Sequence, residues 1–362
     1  MYHVIGFFIL ILLVFSIFYD KLKNDQPLLF FIIFGLFVFT SIRYNIGTDY
    51  PTYYDCFNNI KAFSFSPDYS TGYIHYEPLF RYIVAILKNV FISPIFYFSL
   101  FAFISLAFVW SGIKQLSDNY ILSTFIFYTI FYINYLFNGI NQGVTMCVFL
   151  FSLKYIIDNN FKAILIISLT TTLFHTTGIL ILLAYFLSKL KLNKYVYISI
   201  ILISILLAKF NIGEIIFNKL ITFLPGSIQM LVTSSYLERH AGSLSITSIL
   251  QRVIVVFPLL FYSSRLSTDK RFNVLFPIYC WSLVFYFLFG FVGLFITRIN
   301  MFFRMSEIIL IPILYEKLSN KYSKIIALLI IAIWGFTMLS WFYFKEAYYP
   351  FKTIFEAGAW IN

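Results

Sequence analysis

Apolar runs close to bilayer length follow one another along almost the whole chain, and nothing else in the sequence limits its fold as strongly. A helix needs about 20 mostly apolar residues to cross about 30 Å of hydrocarbon, somewhat fewer where helices pack tightly. Runs of that kind lie near 3–19, 27–42, 93–113, 120–138, 141–157, 161–174, 176–188, 195–210, 246–262, 272–292, 295–315 and 324–344. They predict an all-α polytopic integral membrane protein with about twelve spans, within a range of about ten to fourteen. Charged residues are 11% of the chain, against about 25% in a soluble domain, which excludes a soluble globule. With 15 Gly, 10 Pro and 3 Cys in 362 residues, a collagen, a disordered chain and a disulfide scaffold are excluded too. The stretch 161–188 reads either as one long span or as two short ones meeting at His175. Lys162 precedes it and Lys189, Lys191 and Lys194 follow it, so placing both basic flanks on one side predicts a hairpin.

The basic residues orient the spans. More than half of the 26 Lys and Arg fall in short connections or their flanks on one side, among them Lys21, Lys23, Lys114, Lys154, Lys317, Lys321 and Lys324. The positive-inside rule makes that side cytoplasmic. Met1-Tyr2-His3 carries no Lys or Arg, while Lys21 and Lys23 follow the first run, so it reads as a retained span with its N-terminus outside rather than a secretory signal. The hydrophilic segments 43–78 and 211–245 then become outer loops of a single transmembrane domain, the usual place for a site. Although the net charge is +11, its basic residues are scattered singly between apolar runs, which argues against nucleic-acid binding. Arg265 and Arg271 lie inside, whereas Arg43, Arg81, Arg239, Arg252, Arg298 and Arg304 lie on the outer side or in the outer half of a span. Topology does not require Arg over Lys; the planar guanidinium fork matches phosphate and carboxylate, which suggests an anionic ligand approached from outside.

Arg298 and Arg304 are the sharpest chemical signal. They stand in Ile296-Thr297-Arg298-Ile299-Asn300-Met301-Phe302-Phe303-Arg304, inside a predicted span, where an arginine by default marks a functional site. Six helical residues set them about 9 Å apart along the axis and roughly 240° around it, so they do not share one narrow face. Glu307 follows Arg304 by three residues and is placed to neutralise it, which leaves a structural role open for Arg304. The segment Arg43-Tyr44-Asn45-Ile46-Gly47-Thr48-Asp49-Tyr50-Pro51-Thr52-Tyr53-Tyr54 follows the second run at the outer surface. Its tyrosines suit the stacking of sugars and equally the interfacial belt, and Arg43 reads as a ligand contact or as a head-group anchor. Cys56, Cys147 and Cys280 lie far apart and His3, His75, His175 and His240 show no ligand spacing, so no disulfide, metal or other cofactor is expected. A P-loop and a Gly-rich dinucleotide fingerprint are both lacking, which leaves ATP-driven transport and nucleotide-sugar use unsupported. The 211–245 loop opens with the amphipathic stretch 212–224 and Pro225-Gly226, either a lipid-contacting surface helix or a lid.

The segment beginning at Arg43 resembles the Arg…Gly-Thr-Asp-Tyr…Tyr signature of the EpsG-like, Wzy-type polysaccharide polymerases of bacteria. Three further stretches fit the same pattern in the same order. Tyr76-Glu77-Pro78-Leu79-Phe80 resembles the glutamate-containing element after the first large loop, and Leu173-Phe174-His175-Thr176-Thr177 the Phe-His-small-small element. Arg298 to Pro312 resembles the late Arg-x3-aromatic-aromatic…Pro span. Two positions depart from the pattern. Asn141-Gln142 stands where the family often opens its middle span with Arg-Gln, so another arginine serves there or the role is polar rather than ionic. Phe302 stands where the family typically has Tyr.

The resemblance implies a GT-C-like, metal-independent membrane glycosyltransferase. It would join oligosaccharide repeat units carried on undecaprenyl diphosphate, as donor and as acceptor, at the outer leaflet of the bacterial cytoplasmic (inner) membrane. Membrane lipids and a separate chain-length regulator are the implied partners, and the active site would face the periplasm. A departing diphosphate needs fixed positive donors, for which Arg298 comes first and Arg43 and Arg304 next, with Tyr50, Tyr53, Asn141 and Gln142 as further substrate-binding candidates. The attacking hydroxyl needs a base worth about 10²–10⁴-fold, and His175, Asp49 and Glu77 are the candidates. His175 sits at the outer turn of the hairpin, either available as a neutral imidazole or bonded to a hydroxyl such as Thr171 or Thr172. Asp49 is a base, a partner of Arg43 or a helix cap. Direct displacement is expected, as no nucleophile pair is visible. A ligase or another integral transferase looks physically alike, because both expel the same carrier. A flippase would show ionisable groups near the midplane and two related halves, and neither is seen.

Overall fold

The computed structural model describes residues 1–66, 69–72, 76–91, 93–222 and 244–356. Helices account for all the regular structure among them apart from one isolated antiparallel bridge between Arg43 and Thr353. Five helices are long and apolar enough to cross a membrane: Pro94–Leu116, Tyr120–Asn138, Ile140–Ile157, Lys270–Leu288 and Lys321–Phe342. A sixth follows if Lys194–Lys209 and Ile212–Lys219, bent by 85° at Asn211, count as one span. Shorter apolar helices at Tyr2–Phe18, Gln26–Ser41, Phe161–Phe174, Thr176–Leu187 and Ile246–Phe261 lie under further expected runs. The chain is a multi-pass membrane protein.

Two compact units make up the chain, Met1–Leu182 with Leu318–Asn362, and Leu183–Lys317. In the first, Tyr120–Asn138 and Ile140–Ile157 form the centre, with 89% and 78% of their apolar windows buried against 33% for Lys321–Phe342. Lipid and protein core are equally apolar, so central helices are told apart by the polar atoms they must satisfy internally. Thr124, Thr129 and Thr145 each donate to the carbonyl one turn back, at 2.8, 2.8 and 2.9 Å. From Phe127 to Asn138 the chain is wound as a π-helix, a rare form found mostly where a functional side chain is re-aimed. It delivers Asn138 to the end of the helix, where Gly139 separates it from Ile140–Ile157.

Two turns set the candidate site. After Gln26–Ser41, the 42–47 backbone is taken up by the C-terminal segment. Tyr44 N–H donates to Lys352 O (3.0 Å), Ile354 N–H to Ile42 O (2.9 Å) and Gly47 N–H to Ala347 O (2.8 Å). Gly47 has φ +111°, and a Cβ there would lie 2.4 Å from Phe137 O, so both the conformation and the space require glycine. At His175 the helix Phe161–Phe174 ends and the chain turns back. Ser168 Oγ donates to Gly178 O at 3.0 Å, although ten residues of straight helix would separate them by about 15 Å. This is the reversal that the hairpin reading of 161–188 calls for.

In the second unit Lys270–Leu288 is central, with Lys194–Lys209 and Leu294–Arg304 packed on it. The run 295–315 departs from the expected continuous span and divides into Leu294–Arg304 and Glu307–Glu316. Met305 N–H and Ser306 N–H bond back to Phe302 and Phe303, three residues earlier, and this tighter winding ends the first helix. Ile212–Ile221 lies where the amphipathic opening of the second outer loop was read. The rest of that loop, including Pro225, Gly226 and Arg239, lies outside the described residues, as does His75.

Candidate functional site

Arg43 is the focus of the first unit. It leaves the Gln26–Ser41 helix at a point where the bridge to Thr353 fixes its backbone, and its side chain turns inward to 2% exposure. Three rings enclose the guanidinium, with centroids at 4.6 Å (Phe137), 5.3 Å (Phe98) and 5.8 Å (Tyr50). Such contacts contribute about 0.5–2 kcal/mol each, less than the several kcal/mol it costs to remove the ion from water. Nε, Nη1 and Nη2 meet no hydrogen-bond acceptor among the described residues. Burial pushes Arg43 down to about 10, so it stays charged at neutral pH. A fixed, desolvated fork of donors with no internal acceptor is suited to an anion.

Further buried polar groups in this unit lack partners among the described residues. Asn141, at 1% exposure, has neither side-chain atom hydrogen-bonded, and the Tyr97 hydroxyl is likewise buried and unpaired. Tyr97 lies within electrostatic reach of Arg43, Tyr53 and Tyr76. Native interiors satisfy nearly all such groups, so a cluster of exceptions points to a site. Gln142 is buried next to Asn141. Tyr50 stacks on Phe98 at 4.5 Å, and the Tyr53 hydroxyl accepts the Asn141 N–H at 3.4 Å. Both rings are packed inside the Tyr50–Asn59 helix's contacts, while Tyr54 is the exposed member of the group. Cys56, on the same helix, is buried, and burial pushes its thiol up to about 12, which keeps it protonated.

The three candidate bases are placed differently. Asp49 is half-buried at the N-cap position of Tyr50–Asn59, yet its side chain makes no cap bond. It forms no ion pair with Arg43 among the described residues and accepts one hydrogen bond, from Thr48 Oγ1 at 3.1 Å. Glu77 and His175 are brought together: Glu77 Oε1 accepts the Thr176 N–H at 2.8 Å, tying the start of the Pro78–Val90 helix to the turn at His175. His175 Nδ1 accepts the Thr177 N–H (3.3 Å) and lies 2.7 Å from Thr177 Oγ1, so its hydroxyl neighbour is Thr177 rather than Thr171 or Thr172. A backbone N–H can only donate, which assigns Nδ1 as acceptor and puts the proton of the neutral ring on Nε2.

The second unit holds the other arginines. Arg304 and Glu307 form a buried pair at 1% and 0% exposure, with Nε–Oε1 at 2.6 Å and Nη2–Oε2 at 3.1 Å. The neutralising partner anticipated for Arg304 is therefore its partner here. Arg298 is exposed on Leu294–Arg304. Arg252, which drew no attention as a site residue, is 1% exposed and lies flat over Tyr286 at 3.6 Å. Its Nε donates to Asn300 Oδ1 (2.7 Å) and its Nη1 to Ser248 O (2.6 Å). Asn300 in turn donates to Ser282 Oγ at 3.1 Å, joining three helices through one polar chain.

Sequence reasoning also passed over Asn138 and Tyr348. Asn138 Oδ1 accepts the Thr48 N–H at 2.8 Å, and its Nδ2 donates to the Tyr348 hydroxyl. Tyr2 then donates to Tyr348 O at 2.9 Å. An asparagine ending an apolar helix was the available signal for the first; Tyr348, in a terminal aromatic cluster, offered none. Neither a curated protein nor a solved structure matches the chain. The profile of the EpsG family matches residues 26–353, which takes in the Arg43 loop, the Glu77–Thr176 hydrogen bond, the buried arginines and all but the end of the C-terminal segment that closes on residues 42–47. The chain belongs to the EpsG family, a family of Wzy-like polymerases with a glycosyltransferase-type activity.

Proposed function

We propose that this protein polymerises polysaccharide by joining oligosaccharide repeat units carried on undecaprenyl diphosphate, at the outer leaflet of the bacterial cytoplasmic membrane. The observation that carries this reading is Arg43: a charged, desolvated guanidinium whose three nitrogens meet no acceptor among the described residues, set in the loop that bears the family-like signature. In the reaction, a hydroxyl oxygen of the acceptor sugar attacks the anomeric carbon of the donor. The bond from that carbon to the diphosphate oxygen breaks, and the electron pair leaves with the carrier. Arg43 stabilises the charge that gathers on the diphosphate, the term that usually dominates such catalysis. Arg298, exposed on Leu294–Arg304, is the second unit's own candidate for binding an anion. The hydroxyl's proton passes to Asp49, whose carboxylate accepts one hydrogen bond, from the adjacent Thr48 hydroxyl, and ties no second element in place. Glu77 instead holds the turn that follows His175 through the Thr176 N–H, and His175 Nδ1 is engaged by Thr177.

Deleting the gene in the source strain and then restoring it, with gel analysis of surface polysaccharide, tests the function. Loss of the long ladder with retention of a band bearing one repeat unit is the expected result. Loss of every unit would instead indicate a flippase or a ligase, and an unchanged ladder would end the polysaccharide reading. Asp49→Asn is expected to slow polymerisation by about 10²–10⁴-fold at unchanged abundance in the membrane. A wild-type rate would move the proton to another residue.

A further inference from the structure

A cleft of about 340 Å³ lies in the first unit between residues 45–51 and 346–352. Three backbone hydrogen bonds (Tyr44 to Lys352, Gly47 to Ala347, Ile354 to Ile42) join its two walls, so its shape is set by the main chain. Asn45, Thr48, Glu346 and Lys352 line it together with Pro51 and Pro350. That lining offers an amide, a hydroxyl, a carboxylate and an ammonium, hence donors and acceptors in mixture, beside two apolar rings. The two charges cancel, which sets the cleft apart from the Arg43 cage: it suits a neutral polyhydroxylated ring rather than a diphosphate. Thr48, in the lining, donates a hydrogen bond from its hydroxyl to Asp49 Oδ1 at 3.1 Å, so the proposed base borders the cleft.

We propose that this cleft seats the acceptor sugar, the ring whose hydroxyl gives up its proton to Asp49. The proposal rests on the polymerase reading and adds to it the place where the acceptor binds and the residues that select it. Glu346 accepts from ring hydroxyls, Lys352 and Asn45 donate to ring or hydroxyl oxygens, and the proline rings cover the apolar C–H face. Glu346 and Lys352 are therefore specificity-determining residues supplied by the C-terminal segment.

The test uses the full-length protein in lipid nanodiscs and two probes. One is the repeat-unit oligosaccharide released by mild acid from the carrier lipid of the deletion strain; the other is undecaprenyl diphosphate without sugar. Saturation-transfer NMR of the oligosaccharide is expected to show wild-type protein touching one ring, with sugar-free carrier not displacing it. Glu346→Gln with Lys352→Met is expected to weaken oligosaccharide binding by about tenfold or more while leaving carrier binding unchanged. Glu346→Gln alone tests the same contact with less change to the fold. Equal oligosaccharide binding by wild type and both variants overturns the proposal, as does displacement by sugar-free carrier, which would make the cleft a diphosphate site. Failure of the restored wild-type gene to rebuild the ladder in cells would count against the polymerase reading itself, and is read separately from the NMR result.

Discussion

Arg43→Lys is expected to abolish the long polysaccharide ladder, and Arg43→Met to do the same, while both variants reach the membrane at wild-type abundance. Lysine keeps a charge but loses the planar fork, and its compact ammonium holds its water more tightly than a guanidinium does inside an aromatic cage. Removing one preorganised donor from a developing anion costs about 10²–10³ in rate, enough to reduce a ladder to its single-unit band. The stability expectation runs the other way. Among the described residues none accepts a hydrogen bond from Nε, Nη1 or Nη2, so Arg43→Met orphans no group there and removes a buried charge from contact with Phe137, Phe98 and Tyr50. Replacing a buried ion by an apolar side chain of similar length is often neutral or stabilising. Thermal unfolding in detergent together with the gel separates the two roles. Lost polymer with an unchanged or raised midpoint is the result for a ligand-holding arginine. A full ladder from Arg43→Met would remove Arg43 from the reaction, and a collapsed midpoint would make it a structural residue.

Local chemistry made some of this site legible in the sequence. Gly47 could be read as a turn, and Arg43, Asp49 and the tyrosines around it as a polar patch, because their meaning depends on neighbours a few residues away. Exposure was not legible for the tyrosines: Tyr is at home both in water and in a core, and only packing decides that Tyr50 stacks on Phe98 while Tyr54 faces out. Nor was the closure of the C-terminal segment over residues 42–47, which uses backbone groups that every residue carries, about three hundred positions apart. Arg252 was visible as an outer-half arginine, but its partner Asn300 is 48 residues away on another helix, and no periodicity links them. Most of the apolar helices followed from hydropathy, but Tyr50–Asn59 and Pro78–Val90, in and just after the segment read as an outer loop, did not. The break between Arg304 and Glu307 did not, because the apolar run continues through it and the interruption is a change of backbone winding. That break also places Arg304 and Glu307 in two helices rather than on consecutive turns of one, and makes their pair a staple across the junction.

Breaking that staple has the second large effect. Glu307→Leu leaves the Arg304 guanidinium buried at 1% exposure with its carboxylate gone, and Arg304→Met leaves the Glu307 carboxylate buried at 0% without its hydrogen-bonded partner. Removing one partner of such a pair costs about 3–5 kcal/mol, a large part of the stability of a folded domain, so each single variant is expected at strongly reduced abundance. The double variant Arg304→Met with Glu307→Leu removes both members of the pair together, taking from Arg252 one attractive and one repulsive neighbour at once, and is expected to return to the membrane at close to wild-type level. Its polymer then decides what Arg304 does. With both carboxylate oxygens on Nε and Nη2, the guanidinium is committed internally, and the double variant should rebuild the ladder. Abundant protein without polymer would show that Arg304 also serves the ligand, as its place in the late motif suggests. Full abundance from either single variant would mean that water reaches the pair and that the junction at Met305 and Ser306 stands without it.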